Sequence, residues 1–435
     1  MREMKNSGIP WIGEVPSHWR IESIGSCIKE VNNKNTNNDE DNALQFKMGT
    51  IISKKDGDSK YNPETLEAYN KVQRGDIIIN GLNLSFDFIS QRVGLVNEDG
   101  VITSAYLAVR PLEFISSEYL TYLFKGYDSC KALHSMGKGL RQTLGYKEFR
   151  KYNVLFPSLP EQKAIADFLD KKCAEIDEMI ALQEKIIEEL KAYKLSVITE
   201  AVTKGLNPDV PMKDSGIEWI GDIPEHWNEK RLKDCGYLYG GLSGKAGDDF
   251  NVDEERDNYA LFIPFTNIFN NLYISPQTLY KVKVEEGECQ NEVLKGDVLF
   301  LMSSEDYEGL GKTSLLNVDV SPLYLNSFCK GFRITKSDTN PRYLNYLLTS
   351  SPLRNLVMCM GNGFIRVNLR AEKLSKCPVL LPPLDEQERI ADYLDNKCTE
   401  IDNLISIKLS KIDSLKEYKK SIIYEYVTGK KEVTE

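Results

Sequence analysis

The sequence predicts an α+β fold: two globular α/β domains in tandem duplication, separated by two long antiparallel coiled-coil helices. Three observations predict it. The stretch Glu161 to Thr203 recurs as Glu386 to Thr428 at a constant offset (386 − 161 = 225), from "PSLPEQKAIADFLDKKCAEID" against "PPLDEQERIADYLDNKCTEID" through "SVITEAVT" against "SIIYEYVT". A second motif, "GIPWIGEVPSHWR" at Gly8 to Arg20, recurs as "GIEWIGDIPEHWN" at Gly216 to Asn228, so the duplication spans the chain. Between each motif and each long stretch, β-rich and helical runs follow one another without regular alternation, which is the pattern of an α+β globule.

The expected boundaries are a first globule over 1–158, a long helix over 159–206, a second globule over 207–383 and a second long helix over 384–435. Pro157 and Pro160, and Pro382 and Pro383, stand at the helix entries, where proline ends an extended segment or occupies the first turn. No Pro or Gly then interrupts either copy. Ile176, Ile180, Ile187, Leu190 and Val197 in the first, and Ile401, Ile405, Ile412, Leu415 and Ile422 in the second, lie on a heptad seam of alternating four- and three-residue steps. Matched polar residues break it: Gln183 with Lys408, and Lys194 with Lys419. At about 1.5 Å per residue each helix runs on the order of 60 Å. So narrow a seam buries too little to stand alone, so the ten apolar residues are the expected helix-pair and partner interface.

Within the globules, Trp11 and Trp19 are expected as buried anchors of a compact loop, and His18 and His226 as structural residues of the same motif, since no nucleophile or carboxylate constellation accompanies them. Strands are expected at Ile77 to Ile79 after Arg74-Gly75-Asp76, and at Val298 to Leu301 after Lys295-Gly296-Asp297. Further runs follow at Val93 to Val96 and Thr313 to Leu316. Helices are expected over Ser116 to Gly126 and Asn340 to Ser350, capped by Ser117 and Asn340. The segments "GKGLRQTLGYKEFRKYNVLFP" and "GNGFIRVNLRAEKLSKCPVLLP" each combine a Gly-x-Gly turn, an arginine, a short amphipathic stretch and an apolar strand ending in proline.

Composition narrows the function. Nine cysteines scattered singly, without Cys-x-x-Cys, fit free thiols in a reducing cytoplasm better than a disulfide or zinc framework. No run of eighteen apolar residues occurs, so no membrane is expected as a partner. "GLGKTS" at Gly309 to Ser314 fails as a phosphate-binding loop because Asp306, just before Tyr307, stands where its first glycine belongs. No motif spacing supports a catalytic or metal site. The formal charge is −10, yet the distribution matters more than the sum. In the first globule, Lys125, Lys131, Lys138, Arg141, Lys147, Arg150 and Lys151 face only Asp128 and Glu148 within the same window, 125–151. Arg333, Arg342, Arg354, Arg366, Arg370 and neighbouring lysines repeat that bias in the second.

The segments "WIGEVPSHW", "RGDIII" and "FPSLPEQKAIADFLDKKCAEID", with their repeats "WIGDIPEHW", "KGDVLF" and "LPPLDEQERIADYLDNKCTEID", resemble the specificity subunit of type I restriction-modification systems over essentially the whole chain. The resemblance implies two target-recognition domains that each read one half of a bipartite, gapped site in double-stranded DNA, with the two helices as spacers. It implies a non-catalytic chain that docks two methyltransferase (M) subunits, with restriction/translocase (R) subunits joining. S-adenosylmethionine for adenine-N6 methylation, and ATP and Mg2+, are expected on those partners and no cofactor on this chain. Because the globules differ in sequence, a non-palindromic target is expected. Charge and loop character select Lys138, Arg141, Gln142 and Lys147 in the first globule, and Asn362, Arg366, Asn368 and Arg370 in the second, as DNA contacts. Asp167, Asp170, Glu175 and Asp177, with Asp392, Asp395, Glu400 and Asp402, read as acidic outer faces for partner subunits. The alternative is a protein-docking coiled-coil scaffold without direct DNA recognition.

Overall fold

The turn Arg74-Gly75-Asp76 shows how each globule is built. Gly75 adopts φ +92°, a conformation that glycine reaches without steric cost. Asp76 closes the turn by accepting from the Gln73 N–H at 2.9 Å, and its carboxylate then grips Arg110 through two bonds of 2.7 and 2.8 Å. The chain leaves this turn as the strand Ile77–Ile79. Gly296 (φ +94°) and Asp297 repeat the device, with Leu294 as donor and Arg333 as the gripped guanidinium. The strand that follows is Val298–Leu301.

The computed structural model describes residues 2–54, 63–140, 142–253, 258–285, 287–363 and 365–433. It divides into two compact units, Met1–Glu184 with Leu409–Glu435, and Lys185–Lys408. The long helices Leu159–Lys204 and Leu384–Val427 cross that division, so each unit holds one globule, the entry half of one helix and the exit half of the other.

In the first unit a four-stranded antiparallel sheet runs Ile28–Glu30, Leu107–Pro111, Ile77–Ile79, Val93–Leu95, with Ala108 opposite Ile78. In the second the order is Gly236–Gly240, Cys329–Ile334, Val298–Leu301, Thr313–Leu315, with Gly331 opposite Leu299. A separate strand pair, Arg20–Ser23 with Asn153–Phe156, leads into the first long helix; Asn228–Arg231 with Pro378–Leu381 leads into the other. The helix Ser117–Ser129 is capped by Ser116, which accepts from the Tyr119 N–H, and not by Ser117 as the sequence suggests. One residue decides the cap because only the extended residue before the first turn can aim its oxygen at that N–H. Asn340 does cap Pro341–Thr349.

The Glu-Gln pair that opens each long helix fastens it to its globule. Glu161 accepts from the Trp19 indole at 3.2 Å and bonds His18 at 2.8 Å, while Gln162 accepts from the Ser116 N–H and donates to the Pro157 carbonyl. Glu386 and Gln387 do the same with Trp227, His226, Asn340 and Pro382. Trp19 and Trp227 are fully buried, whereas Trp11 is only half-buried and its counterpart Trp219 is exposed.

Within each unit the two helix segments run antiparallel. Phe168 packs on Tyr426 with ring centroids 4.4 Å apart and Asp177 meets Lys419 at 2.6 Å, so the partner number falls as the first number rises. In the second unit Lys194 meets Asp402 at 2.7 Å. Of the seam residues, Ile176, Ile187, Val197, Ile401, Ile412 and Ile422 are buried, and Ile180, Leu190, Ile405 and Leu415 are half-buried. Lys194 and Lys419 break the apolar pattern because each reaches an aspartate on the facing helix.

Candidate nucleic-acid interface

Each Gly-x-Gly segment forms a hairpin docked on the loop that leaves the gripped central strand. In the first globule Lys138 and Thr143 exchange backbone hydrogen bonds of 3.1 and 3.0 Å around a turn whose Gly139 and Gln142 both have positive φ. Leu144 donates to the Gly81 carbonyl and Leu84 to that of Gln142, so the hairpin and the loop 80–91 form one piece. In the second globule Asn362 and Asn368 exchange bonds of 3.1 and 2.9 Å, and Ser303–Ser304 pairs with Val367–Asn368. Leu369 also donates to Met302.

The loops are held differently. Arg92 is 0% exposed and its guanidinium collects the carbonyls of Asn80, Leu82 and Asp87 at 3.0, 2.9 and 2.6 Å. Asp87 turns its carboxylate back onto the Ile89 and Ser90 N–H groups, and the bonds from Ser90 foremost hold it at about 2. At the matching place Asp306 accepts from the Gly309 N–H at 2.7 Å, and Arg354, its pKa lowered by burial, donates to the Glu308 carbonyl. An open cleft of about 530 Å³ there is lined by Phe269, Ser303, Asp306, Phe328 and Arg366.

Lys138 and Gln142 lie on the first hairpin and Lys147 on the short helix Tyr146–Phe149, all exposed; Arg141 lies outside the described residues. Lys138 is bridged at 3.4 Å to Glu148, which brings the hairpin and that helix together. Asn362, Arg366 and Asn368 sit exposed on the second hairpin, with Arg366 over the Phe328 ring at 5.1 Å, and Arg370 precedes the helix Ala371–Leu374.

Several other charges serve the fold. Arg333 grips Asp297, and Arg342 pairs with Asp392 and Asp395 at 2.7 and 2.8 Å. Burial lowers the Lys125 amine, and the nearby Lys419 adds to the effect. The acidic helix faces are likewise partly used inside their own units, contrary to their reading as outer surfaces. Asp170 accepts from Tyr122, Asp395 from Tyr346, and Asp177 and Asp402 from the seam lysines.

A search for charge missed the apolar part of these tips. Phe86, Phe88 and Ile89 on the first loop and Leu140 on its hairpin are exposed, as are Tyr307, Phe328 and Ile365 in the second globule. The signal was the unusual apolar content of "LNLSFDFIS" between a turn and a strand.

The family model for the "Type I restriction modification DNA specificity domain" matches residues 28–192 and 224–417, and both tips lie inside the matches. The chain belongs to this specificity family. Among its relatives, the MjaVIII type I restriction enzyme specificity subunit of Methanocaldococcus jannaschii is 24% identical over 422 residues, covering 96% of this chain and 93% of the relative. The EcoKI specificity subunit of Escherichia coli (strain K12) is 24% identical over 315 residues, 68% of this chain and 63% of the relative. A chain from a structure on complex assembly and conformational transition of the type I restriction-modification system is similar in fold. Its TM-score is 0.69 at 16% identity, over 95% of this chain and 99% of that one. The crystal structure of the HsdS subunit from Thermoanaerobacter tengcongensis gives 0.50 at 17% identity, over 95% and 98%. As a member of this family the chain is a DNA-specificity subunit with two recognition domains. Among the described residues, no helix is long and apolar enough to cross a membrane.

Proposed function

We propose that each hairpin-and-loop tip reads one half of a bipartite, gapped, non-palindromic duplex site, and that the paired long helices set the gap and dock methyltransferase subunits. One observation carries this: the tips occupy the same place on duplicated frames and carry different side chains. Equal placement with unequal chemistry suits two readers of different half-sites. Lys138 and Lys147, and Arg366 and Arg370, would hold phosphates, while Gln142, Asn362 and Asn368 would reach base edges. Methylation of adenine with S-adenosylmethionine, and ATP- and Mg2+-dependent restriction, would come from partner subunits, with this chain supplying recognition.

Co-expression with the methyltransferase subunits and genome-wide mapping of methyladenine tests the reading. A two-part motif with unlike halves is expected, and absence of any gapped motif would sink it. Inserting four residues after Gln183 would lengthen that helix by about 6 Å. An unchanged gap in the mapped motif would refute the spacer role.

A further inference from the structure

The first tip carries apolar side chains that phosphate binding cannot use. Phe86 is 77% exposed, Ile89 88% and Leu140 100%, on a loop and a hairpin joined by the Leu84 to Gln142 backbone bond. These residues are not on a slack loop. Arg92 fixes three of its carbonyls from inside, Asp87 closes its turn, and His134 stacks on Phe88 at 4.8 Å while bonding the Asp87 carbonyl. A buried cation therefore holds Phe86 and Ile89 out in water, on a loop bonded to the hairpin that carries Leu140. Lys131 donates to the Phe88 carbonyl, and the exposed Lys138, bridged to Glu148, and Lys147 stand on the hairpin and the short helix next to it. The Asp87 carboxylate is turned into the loop.

An apolar point with a cationic rim matches one surface of duplex DNA. The rim neutralises phosphates, and the point gains nothing from phosphates and, among base edges, only from the small thymine methyls. It gains from the faces of bases parted at a step, as apolar wedges do in proteins that unstack DNA. Resting on the recognition reading above, we propose that Phe86, Ile89 and Leu140 wedge into the base stack of the half-site read by the first globule. The second loop, Ser303-Ser304-Glu305-Asp306, is polar at the matching place, and Ser303 and Ser304 are tied to the hairpin strand. The second tip exposes its own apolar residues, Tyr307, Phe328 and Ile365, so the proposal is confined to the half-site of the first globule.

The complex of this chain with its methyltransferase subunits is bound to duplexes of the mapped motif. These carry 2-aminopurine at single steps in either half, away from the methylated adenine. Binding is expected to raise fluorescence at a step in at least one half-site. The combined variant Phe86→Ser/Ile89→Ser/Leu140→Ser is expected to lose the rise in one half-site and to bind roughly tenfold more weakly. Its salt dependence and methyltransferase co-purification should be unchanged. Site-specific binding and methylation with no rise in either half, or with every rise surviving in the variant, would overturn the wedge and leave recognition standing. Loss of methyltransferase co-purification would make the tip a protein-docking surface and also overturn it. Failure to bind any gapped motif would overturn both readings.

Discussion

The two globules share a frame to within a few tenths of an ångström in its polar contacts and share almost nothing at the tip. Tyr119 donates to the Leu155 and Val427 carbonyls, and Tyr343 to those of Leu380 and Val202. The Asp76–Arg110 and Asp297–Arg333 grips, the tryptophan locks on Glu161 and Glu386, and the glutamines behind them match pair by pair. Each of those groups is buried or half-buried, the tyrosines, tryptophans and glutamines between a globule and a long helix and the Asp–Arg grips within a globule's sheet, so changing one strands its partners. A tip residue such as Phe86 or Tyr307 points into water and strands nothing. Divergence is therefore concentrated where the structure costs least and where recognition would need it.

The largest test of this equivalence removes the locks. Trp19→Ala and Trp227→Ala each delete a fully buried ring and should cost about 3–5 kcal/mol. Denaturant unfolding read by hydrogen exchange in each unit is expected to show similar losses, each confined mainly to its own unit. A loss in only one variant would break the comparison. Next comes the contrast at the tips. Arg92→Met leaves three loop carbonyls without their donor and should cost about 1–3 kcal/mol. Amides over 82–91 should exchange faster, with those over 302–311 unchanged; protection retained at 82–91 would show that the guanidinium does not hold the loop.

The frame was legible from the sequence because duplication repeats a pattern. Helix periodicity, the Gly-Asp turns before the central strands and the Glu-Gln helix entries all occur twice in register. The role of Asp76 was not legible, since its partner Arg110 lies on another strand and nothing local marks the pair. The seam breaks at Lys194 and Lys419 could be seen but not explained until Asp402 and Asp177 were found opposite them. The tips were half legible. Charge found the hairpins, but exposure of Phe86 and Ile89 depends on a buried arginine whose burial no local pattern announces.

A smaller effect sharpens the first lock. Burial is the largest influence on Glu161 and pushes its pKa up, but hydrogen bonds from His18, Ser158 and Trp19 together outweigh it and hold the carboxyl at about 2, against an ordinary 4.5. A folded value below the unfolded one stabilises through the ionised form. The contribution is complete above pH 4.5 and is lost as pH falls toward about 2. A third of the side chain lies in water, so screening makes the loss smaller than the shift alone implies. Stability of the first unit, followed by hydrogen exchange of its amides, should fall through that window, and Glu161→Gln should flatten the fall. Identical slopes in the two proteins would remove Glu161 from the lock's electrostatics.

The smallest effect concerns the seam. Lys419 and Asp177 keep 28% and 59% of their side chains exposed, and Lys194 and Asp402 keep 22% and 57%. Pairs so wet should contribute less than about 1 kcal/mol each and fade with salt. Replacing either lysine by Met restores an apolar seam position, so the single variants could even gain stability while the charge coupling is lost. Double-mutant cycles of Lys419→Met with Asp177→Asn, and of Lys194→Met with Asp402→Asn, isolate that coupling. Equal, small, salt-sensitive values would mean that the lysines select helix register at little gain in stability. Values that differ by more than about 1 kcal/mol would show that the two halves of the helix pair are held by different forces despite matching residues.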